Sequence, residues 1–190
     1  MPGLGGRTIG KLGATAVLMG GPDILTSLAS GAIDAAEWIC PIADLGLGMH
    51  QAAKFYYGPG WHEPSTLLDL SIDLKEWEGL DADTQALMME MAKAFNVDVF
   101  SRFQALNGPA LGKLLNEHGV QLKTFPDELL IALGNAAGEV MEERGSINSQ
   151  TKAICNHLLS FRKNIMDWST KGESEFARIR NLPFKFPDSV

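Results

Sequence analysis

The amino-acid sequence predicts an α/β fold. Short apolar runs alternate with helical patterns as far as about residue 73, and the pattern is helical from about residue 80 onward. The 190 residues are enough for one compact domain or two small lobes with a sizeable core. We therefore divide the chain into an α/β part, residues 1–73, and a helical part, residues 74–190.

The composition excludes several classes of protein. Apolar residues make up 45% of the chain and charged residues 21%, as in soluble globular proteins. The net charge is −7 and the 16 Lys and Arg residues are scattered, which argues against nucleic acid as a partner. No apolar stretch is long enough to span a membrane. The start, MPGLGGRTIGKLG, lacks the apolar core of a secretory signal and by itself indicates a cytoplasmic protein.

Helices and strands are expected to alternate before residue 39. A brief helix closes at GKLG, residues 10–13, and a strand follows over residues 14–19. Asp23 is expected to cap a helix that stops at Gly31. The next strand is predicted over residues 32–38, and the carboxyl ends of such strands are where open α/β sheets collect ligands.

The α/β part ends with a helix, a shaped loop and a strand. Pro41 suits a helix start, and a helix is predicted over residues 44–56. The loop YYGPGWHEP follows, stiffened by two prolines. The alternation in TLLDLSID then predicts a half-buried strand over residues 66–73.

The helical part begins with a long rod. Asp81 is expected to cap it, and an apolar stripe along roughly 36 Å is formed by Met88, Met91, Phe95, Val99, Phe103 and Leu106. Residues 107–109, Asn-Gly-Pro, are expected to interrupt the rod, and a shorter helix then ends near Gly119.

Two further helices are predicted. Pro126 opens the first, and its inward residues are Leu130, Leu133, Ala137, Val140 and Met141. The last helix has the most regular apolar stripe, which consists of Ile154, Leu158, Phe161, Ile165 and Trp168.

Two groups of residues are candidates for binding. Glu37 and Trp38 stand together at a predicted strand end, and Tyr57, Trp61 and His62 lie on the proline-stiffened loop. Each group also has a purely structural explanation. Glu37 can be a solvated carboxylate beside a tryptophan that closes the core, and the loop can be a rigid connection rather than a pocket wall.

Other chemistry has little support in the sequence. The four histidines show no metal-binding spacing, so no zinc site is expected, and no serine lies in a nucleophile elbow. Cys40 and Cys155 have no CxxC partner and are expected to be small buried residues. A lyase that uses His62 and Glu63 as acid and base is a weak alternative, because adjacent side chains tend to point apart.

Several motifs together resemble a known family. In order they are PGLGG, KLGAT, SGAIDAAEW, YYGPGWHEP, LNGPALGKLL and TFPDELL, and they run through nearly the whole chain. They resemble the extracytoplasmic solute receptors of tripartite ATP-independent periplasmic (TRAP) transporters, in the branch that binds 2-oxo acids and other small carboxylates. The resemblance implies a periplasmic-binding-protein-like α/β fold of two lobes, spanned by a long helix that matches residues 83–106, and no enzymatic activity.

The resemblance also implies a binding site. A sodium or calcium ion would join the ligand to the protein, held by the Glu37 carboxylate, the Trp38 backbone oxygen and an upstream glutamine. Trp38, Tyr57, Trp61 and His62 would line the ligand pocket. The family's carboxylate-binding arginine stands two residues before the PG of PGLGG, whereas this chain starts at Met1, one residue before that motif. Arg7 lies in the following helix and is not expected to replace it.

These features lead to two hypotheses. In the first, the chain is the C-terminal part of a periplasmic receptor that captures a small organic acid and delivers it to TRAP membrane subunits; a homodimer is left open. The full-length form would carry the secretory signal, which removes the argument for the cytoplasm. In the second, the chain is a truncated remnant without transport function, either an interaction protein or inert, whose apolar surfaces favour self-association.

Overall fold

The computed structural model describes residues 3–63 and 69–185. Its helices are α1 (Gly3–Lys11), α2 (Gly21–Ser30), α3 (Pro41–Leu47), α4 (Leu74–Glu78), α5 (Ala82–Asn116), α6 (Asp127–Gly145), α7 (Ser149–Ser169) and α8 (Glu175–Arg180). A 3₁₀ turn spans Met49–Gln51, a π-helical turn spans Thr170–Ser174, and the strands are β1 (Phe55–Tyr57) and β2 (Gln121–Lys123). None of the described helices combines the length and the apolar character that a membrane span requires.

The two strands pair in parallel and connect the two predicted parts of the chain. Tyr56 lies opposite Leu122, and the pairing extends at both ends. The amide of Gln121 donates to the Lys54 carbonyl at 2.8 Å, and the amide of Gly58 donates to the Lys123 carbonyl at 3.0 Å. The loop that follows β1 is therefore anchored to the segment that follows α5.

The predicted strands over residues 14–19 and 32–38 are wrong. The structure assigns neither a helix nor a strand to residues 14–19; residues 32–34 form a bend, and residues 35–38 belong to no helix or strand. Of the strand predicted over residues 66–73, residues 66–68 lie outside the described residues and 69–73 form no strand. An apolar run becomes a strand only where another strand pairs with it, and a local pattern does not contain that information.

Helix ends follow the local sequence more closely. The predicted stop of α2 is confirmed, because Gly31 has a left-handed φ of 74° and its amide caps the last turn. The predicted cap is wrong: Gly20 precedes the helix and Asp23 lies within the first turn. The predicted cap of α5 is confirmed, since the Asp81 carboxylate accepts a hydrogen bond from the Thr84 amide at 2.8 Å.

The helix predicted over residues 44–56 is shorter and begins earlier. It starts at Pro41, as that residue suggested, and ends at Leu47. The helix ends before Gly48, which has a left-handed conformation with φ of 78°. The Gly48 amide donates hydrogen bonds to carbonyl oxygens of the last helical turn. The rest of the predicted helix contributes the 3₁₀ turn and β1, so Tyr56 lies on a strand.

The expected break at residues 107–109 does not occur, and α5 continues over 35 residues, about 52 Å at 1.5 Å per residue. Pro109 is exposed, so water can satisfy the carbonyl that loses its amide partner. Asn107 accepts a hydrogen bond from the Ile42 amide at 3.1 Å, while Ala110 and Leu114 are buried on the same stretch. Packing against α3 therefore stabilises a helix that the local sequence disfavours.

Two predicted apolar stripes are not buried among the described residues. On α5, Met91 is 60% exposed and Phe95 63%, whereas the buried residues of this helix, Ala110 and Leu114, lie toward its C-terminal end. On α7, all five stripe residues are exposed, Trp168 to 67%. Regular spacing alone thus does not establish burial.

The core is small, and apart from Ile24 of α2 most of its described residues lie in two places. Ala110 and Leu114 of α5 pack near α3, and Leu133, Ala136 and Val140 are buried on α6, which packs against α1 and α7. Lys11 at the end of α1 also forms ion pairs with two glutamates of α6. Of the residues predicted to face inward on α6, only Leu133 and Val140 are fully buried. The two cysteines are free and half-buried rather than buried.

The buried side chain of Val140, which is 1% exposed, provides a direct test of the α6 core. We expect Val140→Ala to reduce the free energy of unfolding by about 2 kcal/mol, because it leaves a cavity between packed helices. Val97→Ala is the matched control, since Val97 is 64% exposed and its truncation should change stability by less than about 0.5 kcal/mol. Denaturant unfolding of both variants measures the difference. Equal effects of the two substitutions would contradict this assignment of the core.

Candidate functional site

Three ionisable side chains from two distant segments meet at one point. Glu37 lies between α2 and α3, while His62 and Glu63 lie on the loop after β1. Their nearest ligand atoms all lie within 4.8 Å of one another, and His62 Nε2 is 3.8 Å from Glu37 Oε2. We call Glu37, His62 and Glu63 the acidic cluster.

The acidic cluster is partly withdrawn from solvent. The His62 side chain is 10% exposed, and its two ring nitrogens are buried without a hydrogen-bond partner among the described residues. The Glu37 side chain is 44% exposed. Loss of solvent raises the pKa of the Glu37 carboxyl above its ordinary value; His62 opposes this rise and Glu63 adds to it. Buried polar atoms without partners are unfavourable, so the cluster is suited to receive a ligand or an ion.

Trp38 fixes the segment that carries Glu37. Its indole lies directly against Gly21 at the start of α2, where an added Cβ would come within 2.6 Å of the Trp38 Cη2 atom. Only glycine permits this close approach without a shift of the ring. The indole is 36% exposed, so one side of it remains available as a wall.

The aromatic residues of the loop lie in two different places. Trp61 contacts His62, with ring centroids 4.7 Å apart and planes tilted by 45°, and so lies beside the acidic cluster. Tyr57 stacks on Phe125, with centroids 4.8 Å apart, and its side chain is 47% exposed. The structure thus brings Trp61 and His62 to the cluster and places Tyr57 against the segment after β2.

An apolar cavity of about 710 Å³ lies next to the loop. It runs between α1 and α6 and is bordered by Trp61, His62 and Glu63. Leu130, Ala137 and Met141 of α6, which the sequence pattern placed in the core, line this cavity. A mostly apolar space with a few polar groups at its border is the usual composition of a small-molecule site.

The buried carboxylate of Asp44 forms hydrogen bonds with two segments next to the site. Asp44 is 7% exposed and accepts hydrogen bonds from the Tyr56 hydroxyl and from the Ile39 amide, the latter at 3.4 Å. Burial raises the pKa of the Asp44 carboxyl, although both hydrogen bonds act in the opposite direction. Burial and the contact with Asp44 also raise the pKa of the Tyr56 hydroxyl.

Sequence reasoning missed part of this arrangement. Asp44 and Asn107 were not among the candidate residues, and Glu63 was considered only on the loop and for the lyase alternative, not as a metal ligand. The histidines were searched only for local metal-binding spacing, which does not reveal that His62 meets Glu37 from a distant part of the chain. The expectation that His62 and Glu63 point apart is wrong, since both contribute to the cluster. One feature of the sequence could have indicated the role of Asp44. This residue stands in the first turn after Pro41, where short polar side chains often form hydrogen bonds with nearby backbone amides.

The donor atoms of the site fit a hard cation. Glu37 and Glu63 offer carboxylate oxygens within the acidic cluster. The carbonyl of Trp38, the residue after Glu37, is a further oxygen donor close to the cluster in sequence. Oxygen donors of this kind suit sodium or calcium. The partly desolvated Glu37 carboxylate would regain, from a bound cation, the stabilisation that it loses with water.

Comparison with known proteins identifies the class. Residues 2–146 match the family of bacterial extracellular solute-binding proteins, family 7. This match covers more than half of the chain, so the chain belongs to that family. The resemblance to TRAP solute receptors that the motifs suggested is thereby confirmed.

Individual relatives show what the chain is similar to. It is 35% identical, over 176 residues, to a monocarboxylate 2-oxoacid-binding periplasmic protein of Nostoc sp., covering 93% of this chain and 48% of the relative. A TRAP periplasmic solute-binding protein from Colwellia psychrerythraea, solved with calcium and pyruvate, is 30% identical with a TM-score of 0.85, covering 94% of this chain and 54% of that one.

A third relative binds a different cation. The TRAP periplasmic solute-binding protein from Pseudoalteromonas atlantica, solved with sodium and pyruvate, is 28% identical with a TM-score of 0.87, covering 97% of this chain and 55% of that one. These matches confirm the predicted fold class, and the chain spans about half the length of the relatives.

The raised pKa of Asp44 predicts how stability depends on pH. The folded state binds the Asp44 proton more tightly than the unfolded state, so this residue's contribution to stability is lost as pH rises through the folded pKa and is regained as pH falls. We expect the parent protein to gain stability relative to Asp44→Asn between about pH 7 and about pH 4. Urea unfolding of both proteins at the two pH values measures this difference. A constant difference, or one of opposite sign, would show that Asp44 does not have a raised pKa.

Proposed function

We propose that the chain forms the cation-binding part of a TRAP receptor that captures a small organic acid, a 2-oxo or hydroxy monocarboxylate. The observation that carries this proposal is the meeting of Glu37 with His62 and Glu63 beside the Trp38 peptide. The two segments that meet there are the ones that carry the AIDAAEW and PGWHEP motifs. The ligands and cations of the relatives support the same chemistry.

In this proposal the cation is held by the Glu37 carboxylate and the Trp38 backbone oxygen. A bound sodium or calcium ion would offset the negative charge of the ligand's carboxylate, which Glu37 and Glu63 would otherwise repel. Trp38 and Trp61 then form walls of the ligand pocket, and His62 supplies a buried ring nitrogen that has no hydrogen-bond partner within residues 3–63 and 69–185. Tyr57, at the end of β1 just before this loop, is also proposed as a ligand-binding residue.

The position of Arg7 bears on which positive charge binds the ligand's carboxylate. Arg7 is exposed on α1, and its positive charge helps to lower the pKa of Glu143 on α6. Arg7 is not among the residues that line the cavity beside the loop, so in this proposal the cation provides the counter-charge for the ligand's carboxylate. Capture in the periplasm and delivery to TRAP membrane subunits, without catalysis, completes the proposal.

Glu37 is the residue whose loss should affect cation binding most. We expect Glu37→Gln to weaken calcium binding to the 190-residue chain by about 10- to 100-fold, because the charged oxygen donor becomes a neutral amide. Isothermal titration with calcium, with and without pyruvate, measures the change.

The matched control is Glu142→Gln, since Glu142 is exposed on α6. It removes the same charge from the chain and should leave calcium affinity unchanged. If both variants bind calcium as the parent does, Glu37 is not a cation ligand. If both lose affinity equally, the effect comes from net charge and not from the site.

A second candidate function, that of an interaction protein, is favoured by the apolar surface. Large side chains are exposed along α5 and α7, among them Leu87, Phe95, Phe100, Phe161 and Trp168. Large exposed apolar side chains of this kind favour association with another protein or with a second copy.

The two candidates differ in how the chain responds to ligand. A receptor should gain melting temperature when pyruvate is added together with calcium or sodium, because only binding to the folded state stabilises it. An interaction protein should show no such gain but should associate as its concentration rises. Thermal unfolding with and without ligand, combined with sedimentation velocity over a concentration series, separates them. An unchanged melting temperature with concentration-dependent association would favour the second candidate over the first.

A further inference from the structure

The Trp38 carbonyl and the Ile39 amide belong to one peptide unit. That unit is planar and trans, so its N–H and its C=O point in opposite directions. Asp44 Oδ1 accepts the Ile39 N–H at 3.4 Å. A group that fixes the direction of this N–H therefore also fixes the direction of the Trp38 carbonyl oxygen.

The second oxygen of Asp44 holds the other side of the site. Its Oδ2 accepts the hydrogen bond of the Tyr56 hydroxyl, and Tyr56 lies on β1, in register with Leu122 of β2. The loop that carries His62 and Glu63 begins directly after this strand. One carboxylate thus links the Trp38–Ile39 peptide to the strand that delivers the rest of the acidic cluster.

Asp44 is itself held firmly. It lies in the first turn of α3, and its own amide donates to the Cys40 carbonyl at 2.9 Å. The start of α3 is joined to α5 by the hydrogen bond from the Ile42 amide to Asn107. With 7% exposure, the Asp44 carboxylate has little freedom to turn away from its two donors.

We propose that Asp44 is a positioning residue for the cation site, which orients the Trp38 carbonyl oxygen toward the cation and sets the separation between Glu37 and the His62 loop. This inference rests on the proposed function, in which the Trp38 carbonyl is a cation ligand. Asp44 does not touch the cation; it acts through the Ile39 amide and the Tyr56 hydroxyl. A hydrogen bond accepted from the amide also polarises the peptide and increases the negative charge on the carbonyl oxygen.

Two simpler roles for Asp44 make different predictions. If Asp44 only adds negative charge near the cation, Asp44→Asn should be as harmful as Asp44→Ala. If it only stabilises the fold, any substitution that lowers the melting temperature equally should weaken calcium binding equally. A positioning role requires instead that the oxygen acceptor matters more than the charge, because Asn retains an oxygen that can accept the Ile39 N–H.

The experiment is a calcium titration of the full 190-residue chain by calorimetry, on the parent, Asp44→Ala, Asp44→Asn and Val140→Ala. We expect Asp44→Ala to weaken calcium binding about tenfold, as for the loss of one orienting hydrogen bond. Asp44→Asn should restore most of the lost affinity, to within about threefold of the parent. Val140→Ala, which lies in the α6 core, should lower the melting temperature and leave calcium affinity unchanged.

A second readout follows the carbonyl itself. The ¹³C resonance of the Trp38 carbonyl should shift on addition of calcium in the parent and in Asp44→Asn, and should shift less at matched saturation in Asp44→Ala. Such a result is specific to orientation of the ligand atom, because a general loss of stability would not reduce the shift of bound protein.

The outcomes separate the inference from the proposed function. If the parent binds calcium and Asp44→Ala binds it equally well, the positioning role is overturned and the proposed function stands. Equal losses in Asp44→Ala and Asp44→Asn, or in Val140→Ala, also overturn the positioning role, in favour of charge or stability. If the parent does not bind calcium at all, the cation site of the proposed function is wrong, and the inference that rests on it is wrong too.

Discussion

The hydrogen bonds accepted by the buried Asp44 carboxylate are the interaction on which the site depends. They join the segment after α2 to β1, and β1 in turn is paired with the strand that follows the long helix α5. A carboxylate can accept several hydrogen bonds at once, which makes it suited to such a junction. Burial of the charged Asp44 carboxylate is unfavourable, and this raises its pKa. The hydrogen bonds from its two donors, the Tyr56 hydroxyl and the Ile39 amide, offset part of this effect.

Local features of the fold could be predicted from the sequence, and non-local ones could not. The stop at Gly31 and the cap at Asp81 depend on a few neighbouring residues, and both were predicted. Pro41 was recognised as suited to a helix start, although the helix itself was predicted from residue 44. Strand pairing and the continuity of α5 through Pro109 depend on partners far along the chain. Glu37 and Trp38 were found from their motif, whereas the contact between Glu37 and His62 required the structure.

Charge explains why a cation belongs in the proposed site. Glu37 and Glu63 lie close together, and a carboxylate ligand brought to them alone would be repelled. Partial loss of solvent around the Glu37 carboxylate strengthens that repulsion, since less water surrounds the charge. A cation held by Glu37 and the Trp38 carbonyl would attract the ligand's carboxylate and so overcome the repulsion by the two glutamates. We therefore expect the ion to bind before the organic acid or together with it.

A crystal structure of the chain with calcium and pyruvate, with anomalous diffraction used to locate the ion, would show directly whether Glu37 and Trp38 hold the cation. We expect one calcium peak about 2.4 Å from both a Glu37 carboxylate oxygen and the Trp38 carbonyl oxygen, with the pyruvate carboxylate on the same ion. A calcium peak that contacts neither oxygen, or pyruvate bound elsewhere without an ion, would contradict this expectation.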